Sequence, residues 1–331
     1  MRSNFAMRIV FMGSAELSCA CLDALFRNDL GGPRVDVVGI VCQPDRPKGR
    51  SLHVAACPVK ERVCAGALPV LTPVNVNAPE SLDAIRLLSP DAIVVVAYGQ
   101  ILGKKLLELP PLGCINIHAS LLPAYRGAAP IQWSIVRGEA VTGVTAMYMA
   151  KRMDAGDIIL QRSIRIGPED TGGMLHEAIA REGPIALMQS LTLVDMGEER
   201  RIPQDERLVT FAPKLGREDG RIDWTLAAVD IYNRVRGFNP WPGCFCELDR
   251  GSGAAAAIKI WKCRVESGTG GAAGVVLGAS GEGPLVAAGS GAVRLLEVQP
   301  EGRKAMTGSD YLRGYHVAAG SRMIVRSLKC G

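Results

Sequence analysis

"DAIVVVAYG", Asp91 to Gly99, is the stretch on which the fold turns. From Ala92 to Ala97 every residue is apolar, with no polar alternation, as in a strand covered on both faces. Upstream, "PESLDAIRLL" reads as a helix. Downstream, "CINIHAS" (Cys114 to Ser120) reads as a second strand, followed by a helix through "IQWSIVRG". The same alternation extends back to the start. "MRIVFMG" is a short apolar run, Leu17, Cys21 and Leu25 recur at helical spacing, "VDVVGIVCQP" is another run ended by Pro44, and "PVLTPV" is a weaker one. Strand, helix, strand repeated in this way predicts a Rossmann-like, doubly wound, mostly parallel α/β domain. The first strand–helix turn, "FMGSAEL", has one glycine where a dinucleotide fingerprint has three, and nothing resembles GxxxxGK[ST]. No nucleotide site is expected. Ligands should still gather at the carboxyl ends of the strands.

The texture changes in the second half. After "DIILQRSIRI" a helical stretch runs from Met174 to about Asp195, and "GEERRIPQDERLVTFAPKLGRE" then loses periodicity and gains charge and proline. Beyond it "TLAAVDIYNRVRGF" is helical, while "GCFCELD", "AIKIWKCRV", "AGVVLG", "PLVAAG" and "AVRLLEVQP" are short strands divided by glycine-rich turns, a pattern that suggests a small β-barrel. The expected division is a first domain over 1–196, a linker over 197–214 and a second domain over 215–331.

The chain has 331 residues, 48% hydrophobic and 21% charged, enough to build about two cores. The net charge is +5, and from Leu215 onward there are 15 Lys and Arg against 11 Asp and Glu. That bias fits either a polyanionic partner or a solvated mixed-charge surface. The ten cysteines are scattered without a CxxC pair, and the four histidines form no cluster with them at zinc spacing. His53 and Cys57 pair only on paper. Reduced cysteines, no metal and a cytoplasmic chain are expected. No apolar run approaches the ~18 residues of a membrane span, the start has no cleavable signal pattern, and Met7 is a candidate natural start.

Within "CINIHAS", alternation points Asn116 and His118 to one face and Ile115 and Ile117 to the other. Either the polar pair is a satisfied interior amide and imidazole, or it faces a cleft. The irregular loop that follows, "SLLPAYRGAAP", and the tight turn "KRMDAGDIIL" with Asp154 and Asp157 shift the weight to the cleft. An imidazole can take the proton of an attacking amine, typically worth about 10²–10⁴-fold. An amide can donate to the oxygen of a forming tetrahedral centre, worth roughly 3–4 kcal/mol. A carboxylate beside the imidazole favours its protonated form. Together they suit direct acyl transfer to an amine, with no serine or cysteine clearly placed as a nucleophile.

These residues resemble the folate-dependent formyltransferases. Asn116-x-His118, the "SLLP" of Ser120–Pro123 and Asp154 carry that resemblance; "INIHASLLPAYRGAAPIQW", "QPDRPKGR", "RIDW" and "FNPWPG" narrow it to the methionyl-tRNA branch over nearly the whole chain. The resemblance implies formyl transfer from 10-formyltetrahydrofolate to the α-amino group of methionine on charged initiator tRNA. It implies Asn116, His118 and Asp154 as the catalytic set and Ser120, Leu121, Leu122 and Pro123 as a folate-contacting loop. It also implies an OB-like barrel at the carboxyl end that helps hold the tRNA, and a loop from Gln43 to about Pro58 that reads its acceptor end through Arg46, Lys48 and Arg50. The family's glycine and paired lysines after that arginine are missing here, where the loop reads "GRSLHVAACPVK". A monomer without metal is expected. Two alternatives remain at this point: a small amine as acceptor, or a non-catalytic RNA-binding protein on the same scaffold. Phe238, Trp241 and Pro242 of "FNPWPG" suit either base stacking or packing of the helix against the barrel.

Overall fold

The computed structural model describes residues 6–48, 53–63, 68–249, 255–267 and 270–325, with the backbone alone at Pro47, Lys48 and His53. It divides into two compact units: Met1–Pro130, Val141–Arg165 and His176–Ala212 form the first, and Ile131–Ala140, Ile166–Leu175 and Pro213–Gly331 the second.

The strands assigned in the first half are β1 (Met7–Gly13), β2 (Val35–Val41), β3 (Arg46–Lys48), β4 (His53–Ala55), β5 (Val70–Leu71), β6 (Ala92–Val96), β7 (Cys114–His118), β8 (Arg126–Gly127), β9 (Val141–Tyr148), β10 (Ile158–Arg165) and β11 (Phe211–Ala212). The helices are α1 (Glu16–Arg27), α2 (Pro58–Arg62), α3 (Pro79–Leu87), α4 (Lys104–Leu107), α5 (Pro130–Val136) and α6 (Gly172–Met196). Seven strands make one sheet in the order β5-β2-β1-β6-β7-β9-β10. Pairings are parallel from β5 to β7 and antiparallel at β9 and β10, so the sheet is mostly parallel and Rossmann-like, as its sequence predicts. All five residues of β6 are buried, which is why that run needs no polar alternation. Val10, Met12, Val41, Ile93, Val95, Leu106 and Cys114 pack into one core cluster, each large aliphatic group contributing roughly 1.5–3 kcal/mol.

The stretch read as a linker makes specific bonds within this unit. Ile202 exchanges backbone hydrogen bonds with Ile158 at 2.8 and 3.0 Å, and β11 pairs in parallel with β8.

The second unit holds α7 (Ala228–Gly237), β12 (Cys244–Asp249), β13 (Ala255–Glu266), β14 (Val276–Ser280), β15 (Gly283–Ala287), β16 (Ala292–Pro300), β17 (Met306–Thr307), α8 (Gly308–Gly314) and β18 (Arg322–Met323). Its antiparallel sheet runs β14-β15-β16-β13-β12-β18. A bridge between Val275 and Arg322 brings the two ends together, so the sheet is nearly a closed barrel. Along β12, Cys244, Cys246 and Leu248 point inward while Phe245 and Glu247 do not. Ala228, Ile231 and Val235 give α7 one buried face. Two segments from earlier in the chain belong to this unit because α7 binds them: Arg236 donates to the carbonyls of Gly167 and Asp170, and Trp133 meets Phe238 edge-on at 5.8 Å. Phe238 is therefore fully buried, while Trp241 is 54% exposed. Among the described residues no helix is long and apolar enough to cross a membrane.

Candidate active site

Alternation along β7 does what the sequence implies. Ile115 and Ile117 are buried in the sheet's packing, and Asn116 and His118 share the other face at 8% and 7% exposure. Their bonding differs. Among the described residues no protein hydrogen bond holds the Asn116 carboxamide, and its polar atoms are not among the fully buried unpartnered ones. His118 Nε2 lies 2.9 Å from the Tyr125 carbonyl. A carbonyl only accepts, so Nε2 carries a proton and Nδ1 is left with the lone pair in the neutral ring. Nδ1 faces Asp154 Oδ1 at 3.8 Å.

Asp154 is held from both ends. Its backbone is left-handed, with φ of 50°, a conformation that costs a non-glycine residue roughly 1–3 kcal/mol and persists where surroundings over-determine it. Oδ2 accepts the Gly127 N–H at 2.8 Å. The Gln204 side-chain amide donates to the carbonyls of Asp154 and Gly156, both at 2.8 Å. Gly156 itself tolerates no side chain, since a Cβ there would lie 1.8 Å from the Tyr148 carbonyl oxygen.

Gln204 is in turn fixed by Arg126, which donates to its Oε1 through Nε at 3.0 Å and Nη2 at 2.8 Å. Arg126 is 2% exposed and also donates to Glu206 at 3.0 Å, while Arg152 bonds the other Glu206 oxygen at 2.8 Å. Hydrogen bonds from Arg126, then Arg152, hold the Glu206 carboxyl below its usual range. The chain Arg126–Gln204–Asp154 is thus a continuous strut behind the Asp154 carboxylate. Gln204 escapes sequence reading: in an aperiodic charged stretch a glutamine carries no signal, and its partner lies 78 residues away.

Ser120–Pro123 follows β7 directly. Ser120 is fully buried, with its hydroxyl donated to the Ala124 carbonyl at 2.6 Å. Leu122 is buried against Met147 and Ile158, and the bond to Pro123 is cis. Thr145, opposite His118 on β9, donates to the Ser120 carbonyl at 2.6 Å and accepts the Leu122 N–H at 3.0 Å. Gln161 adds bonds to Thr145 and to the Leu122 carbonyl. Ser120 and Leu122 therefore set the loop's shape, and Leu121 and Pro123 are its partly exposed residues.

At the neighbouring strand ends Ser14, Gln43 and Tyr98 are bonded to one another. Arg46 is exposed and donates to Gln43 at 3.1 Å, not to Asn116, His118 or Asp154. Lys48 is placed by its backbone only, in the β3–β4 hairpin, and Arg50 lies outside the described residues. No group of three or more metal-ligating side chains occurs among the described residues.

Comparison with known proteins gives the family of the chain. A family model for formyl transferases matches residues 7–191, and one for the formyl transferase C-terminal domain matches 214–316. The chain is 43% identical over 317 residues to a methionyl-tRNA formyltransferase of Geobacter sulfurreducens, covering 96% of each chain. Among solved structures, the sugar 3N-formyl transferase WlaRD, determined in the presence of dTDP and 5-N-formyl-THF, is similar in fold: TM-score 0.63 at 16% identity, over 91% of this chain and 100% of that one. HypX from Aquifex aeolicus in complex with tetrahydrofolic acid gives 0.56 at 19%, over 93% of this chain and 47% of the longer one. With both parts matched and so high an identity over nearly its full length, the chain belongs to the methionyl-tRNA formyltransferase family of formyl-transfer enzymes.

Proposed function

We propose that the enzyme moves a formyl group from 10-formyltetrahydrofolate to the α-amino group of methionine on charged initiator tRNA, by direct attack through a tetrahedral intermediate, as a cytoplasmic monomer. The observation that carries the reading is that Asn116 shares one face of β7 with His118, whose free nitrogen faces Asp154. The donor supplies an electrophilic formyl carbon. Asn116 donates to the formyl oxygen as negative charge builds there, and its idle amide is free to do so. His118 Nδ1 takes the proton of the attacking amine. Asp154 stabilises the imidazolium that results, without taking the proton itself. The folate rests on the Ser120–Pro123 loop, shaped from within by Ser120 and Leu122 and presented by Leu121 and Pro123. The activity for which the relatives are named supports the acceptor, and the folates present with the two proteins of similar fold support the donor.

The tRNA reading extends to the second unit. We assign formyl transfer to residues 1–196 and tRNA binding to 215–331, with Arg46, Lys48 and Arg50 as contacts from the first. Supporting it, the outer side of β12, β13 and β16 carries Phe245 beneath the Arg221 guanidinium at 4.7 Å, and Trp261 beneath Lys259 at 5.3 Å. In register Phe245 stands beside Lys259, and Lys259 beside Gln299. Aromatic faces interleaved with cations suit unpaired nucleotides and their phosphates.

The test is transfer of labelled formyl from 10-formyltetrahydrofolate to charged initiator tRNA, with free methionine and small amines as competitors. Label on the charged tRNA alone is expected. Label on a small amine in preference would keep the catalytic trio and overturn the acceptor.

A further inference from the structure

One stretch of chain, residues 204–212, holds both neighbours of the His118 ring. Gln204 holds the turn of Asp154, which faces Nδ1. Thr210 holds Tyr125, whose carbonyl lies against Nε2. Two bonds do so. The Thr210 hydroxyl accepts the Tyr125 N–H at 2.9 Å, and the Thr210 carbonyl accepts the Arg126 N–H at 2.9 Å. Tyr125 is buried and left-handed, with φ of 63°, a conformation that a non-glycine residue keeps only where its surroundings hold it. The Tyr125 carbonyl and the Arg126 N–H belong to one trans peptide, so they point opposite ways. Anchoring that N–H on Thr210 therefore aims the carbonyl at the ring.

We propose that Thr210 is a positioning residue that sets the tautomer of His118. Two acceptors flank a neutral imidazole that carries one proton. A carboxylate is the stronger acceptor, so Asp154 alone would draw the proton to Nδ1 and leave that atom without a lone pair for an incoming amine. At 3.8 Å, Asp154 Oδ1 is too distant for a hydrogen bond to Nδ1, whereas the Tyr125 carbonyl takes the Nε2 proton at 2.9 Å. The ring is thereby kept with Nδ1 open. Gln204 restrains the Asp154 side and Thr210 the Tyr125 side. Thr210 is itself exposed, with its hydroxyl on the Tyr125 peptide, and it works through the peptide it holds.

The tautomer follows from these bonds. Its effect on rate rests on the proposed role of His118 as the base.

The experiment reads the ring directly. The full-length chain is labelled with ¹⁵N at its four histidines, the His118 signals are assigned by their loss in His118→Ala, and ring ¹⁵N–¹H correlations are recorded at a pH where the imidazole is neutral. The parent is expected to show a protonated Nε2 and a bare Nδ1. Thr210→Val removes the hydroxyl acceptor and keeps the side chain's shape and the main-chain bond to Arg126. It should move the His118 shifts towards the Nδ1-protonated form and lower kcat several-fold, with the melting temperature and KM for 10-formyltetrahydrofolate nearly unchanged. Thr210→Ser, which restores the acceptor, should recover most of both the parent spectrum and the rate. A parent protonated at Nδ1, a Thr210→Val spectrum identical to the parent's, or a Thr210→Ser variant as altered as Thr210→Val would each overturn the proposal. A shifted tautomer with kcat unchanged would instead sink His118 as the base and leave the role of Thr210 at the ring standing.

Discussion

Because the Tyr125 carbonyl can only accept, its bond to His118 Nε2 leaves Nδ1 as the basic atom of the ring, and that atom faces Asp154. Removing the imidazole should therefore remove proton transfer alone. His118→Ala is expected to lower kcat by about 10²–10⁴-fold with the melting temperature little changed; full retained activity would refute its role. Gln204 acts through another group, so its variant should read differently. In Gln204→Ala the Asp154 turn loses two bonds and the buried Arg126 guanidinium keeps only Glu206 of its two acceptors. The expected result is a lower kcat with KM for the formyl donor nearly unchanged, and a stability loss of about 1–3 kcal/mol for the unsatisfied buried groups. Gln204→Glu, which keeps an acceptor for Arg126, should recover more stability than activity. Equal recovery of both would show Gln204 to be merely structural. The sequence marks Asn116, His118 and Asp154 because polar residues interrupt apolar or turn-forming patterns there. It marks neither Gln204 nor Arg126 as a strut, since that pairing exists only in three dimensions.

Among the elements, the β8–β11 contact leaves no room for a side chain at Gly127. Gly127 has φ of 123°, and a Cβ on it would lie 2.6 Å from the Ala212 carbonyl oxygen. Gly127→Ala should separate the two short strands and swing away the N–H that Asp154 accepts, so stability and kcat should fall together. Thermal unfolding and initial rates measured on the same preparation would reveal an uncoupled response. In the barrel, Arg264 and Arg294 stand opposite each other on β13 and β16, a like-charge pair that would repel. Glu266 reconciles them, bonding Arg294 at 2.7 and 2.8 Å and Arg264 at 3.0 Å. Bonds from Arg294, and then Arg264, hold its carboxyl down to about 2, against an ordinary 4.5. A depressed folded-state pKa adds stability that is complete above the unfolded value and is lost as pH falls through the folded one. Stability should thus decline between about pH 4.5 and 2, and Glu266→Gln should be less stable at pH 7 with a flatter acid limb. An acid limb identical to the parent's would show that the ion pairs carry no stability.

For the whole molecule, the basic excess predicts a kinetic signature that no single side chain would give. If phosphates are held by Lys and Arg of both units, KM for charged tRNA should climb steeply with added salt while KM for 10-formyltetrahydrofolate stays nearly flat, because tRNA binding releases counterions. Initial rates at several ionic strengths check this, and parallel slopes for the two substrates would remove the electrostatic account. The sequence by itself determined the layered plan. A run such as Ala92–Val96 is stable only as a strand buried on both faces, and short strands between glycine turns build a barrel, because period and turn chemistry are local properties. It also marked Asn116 and His118, since alternation alone puts them on one face of β7. Tertiary structure decided the rest. It closed the barrel at Val275 and Arg322, drew Ile131–Ala140 and Ile166–Leu175 into the second unit, and drew the apparent linker over Asp154. Each of these is a bond between residues far apart in the chain, and no local pattern encodes which distant donor will satisfy a given acceptor.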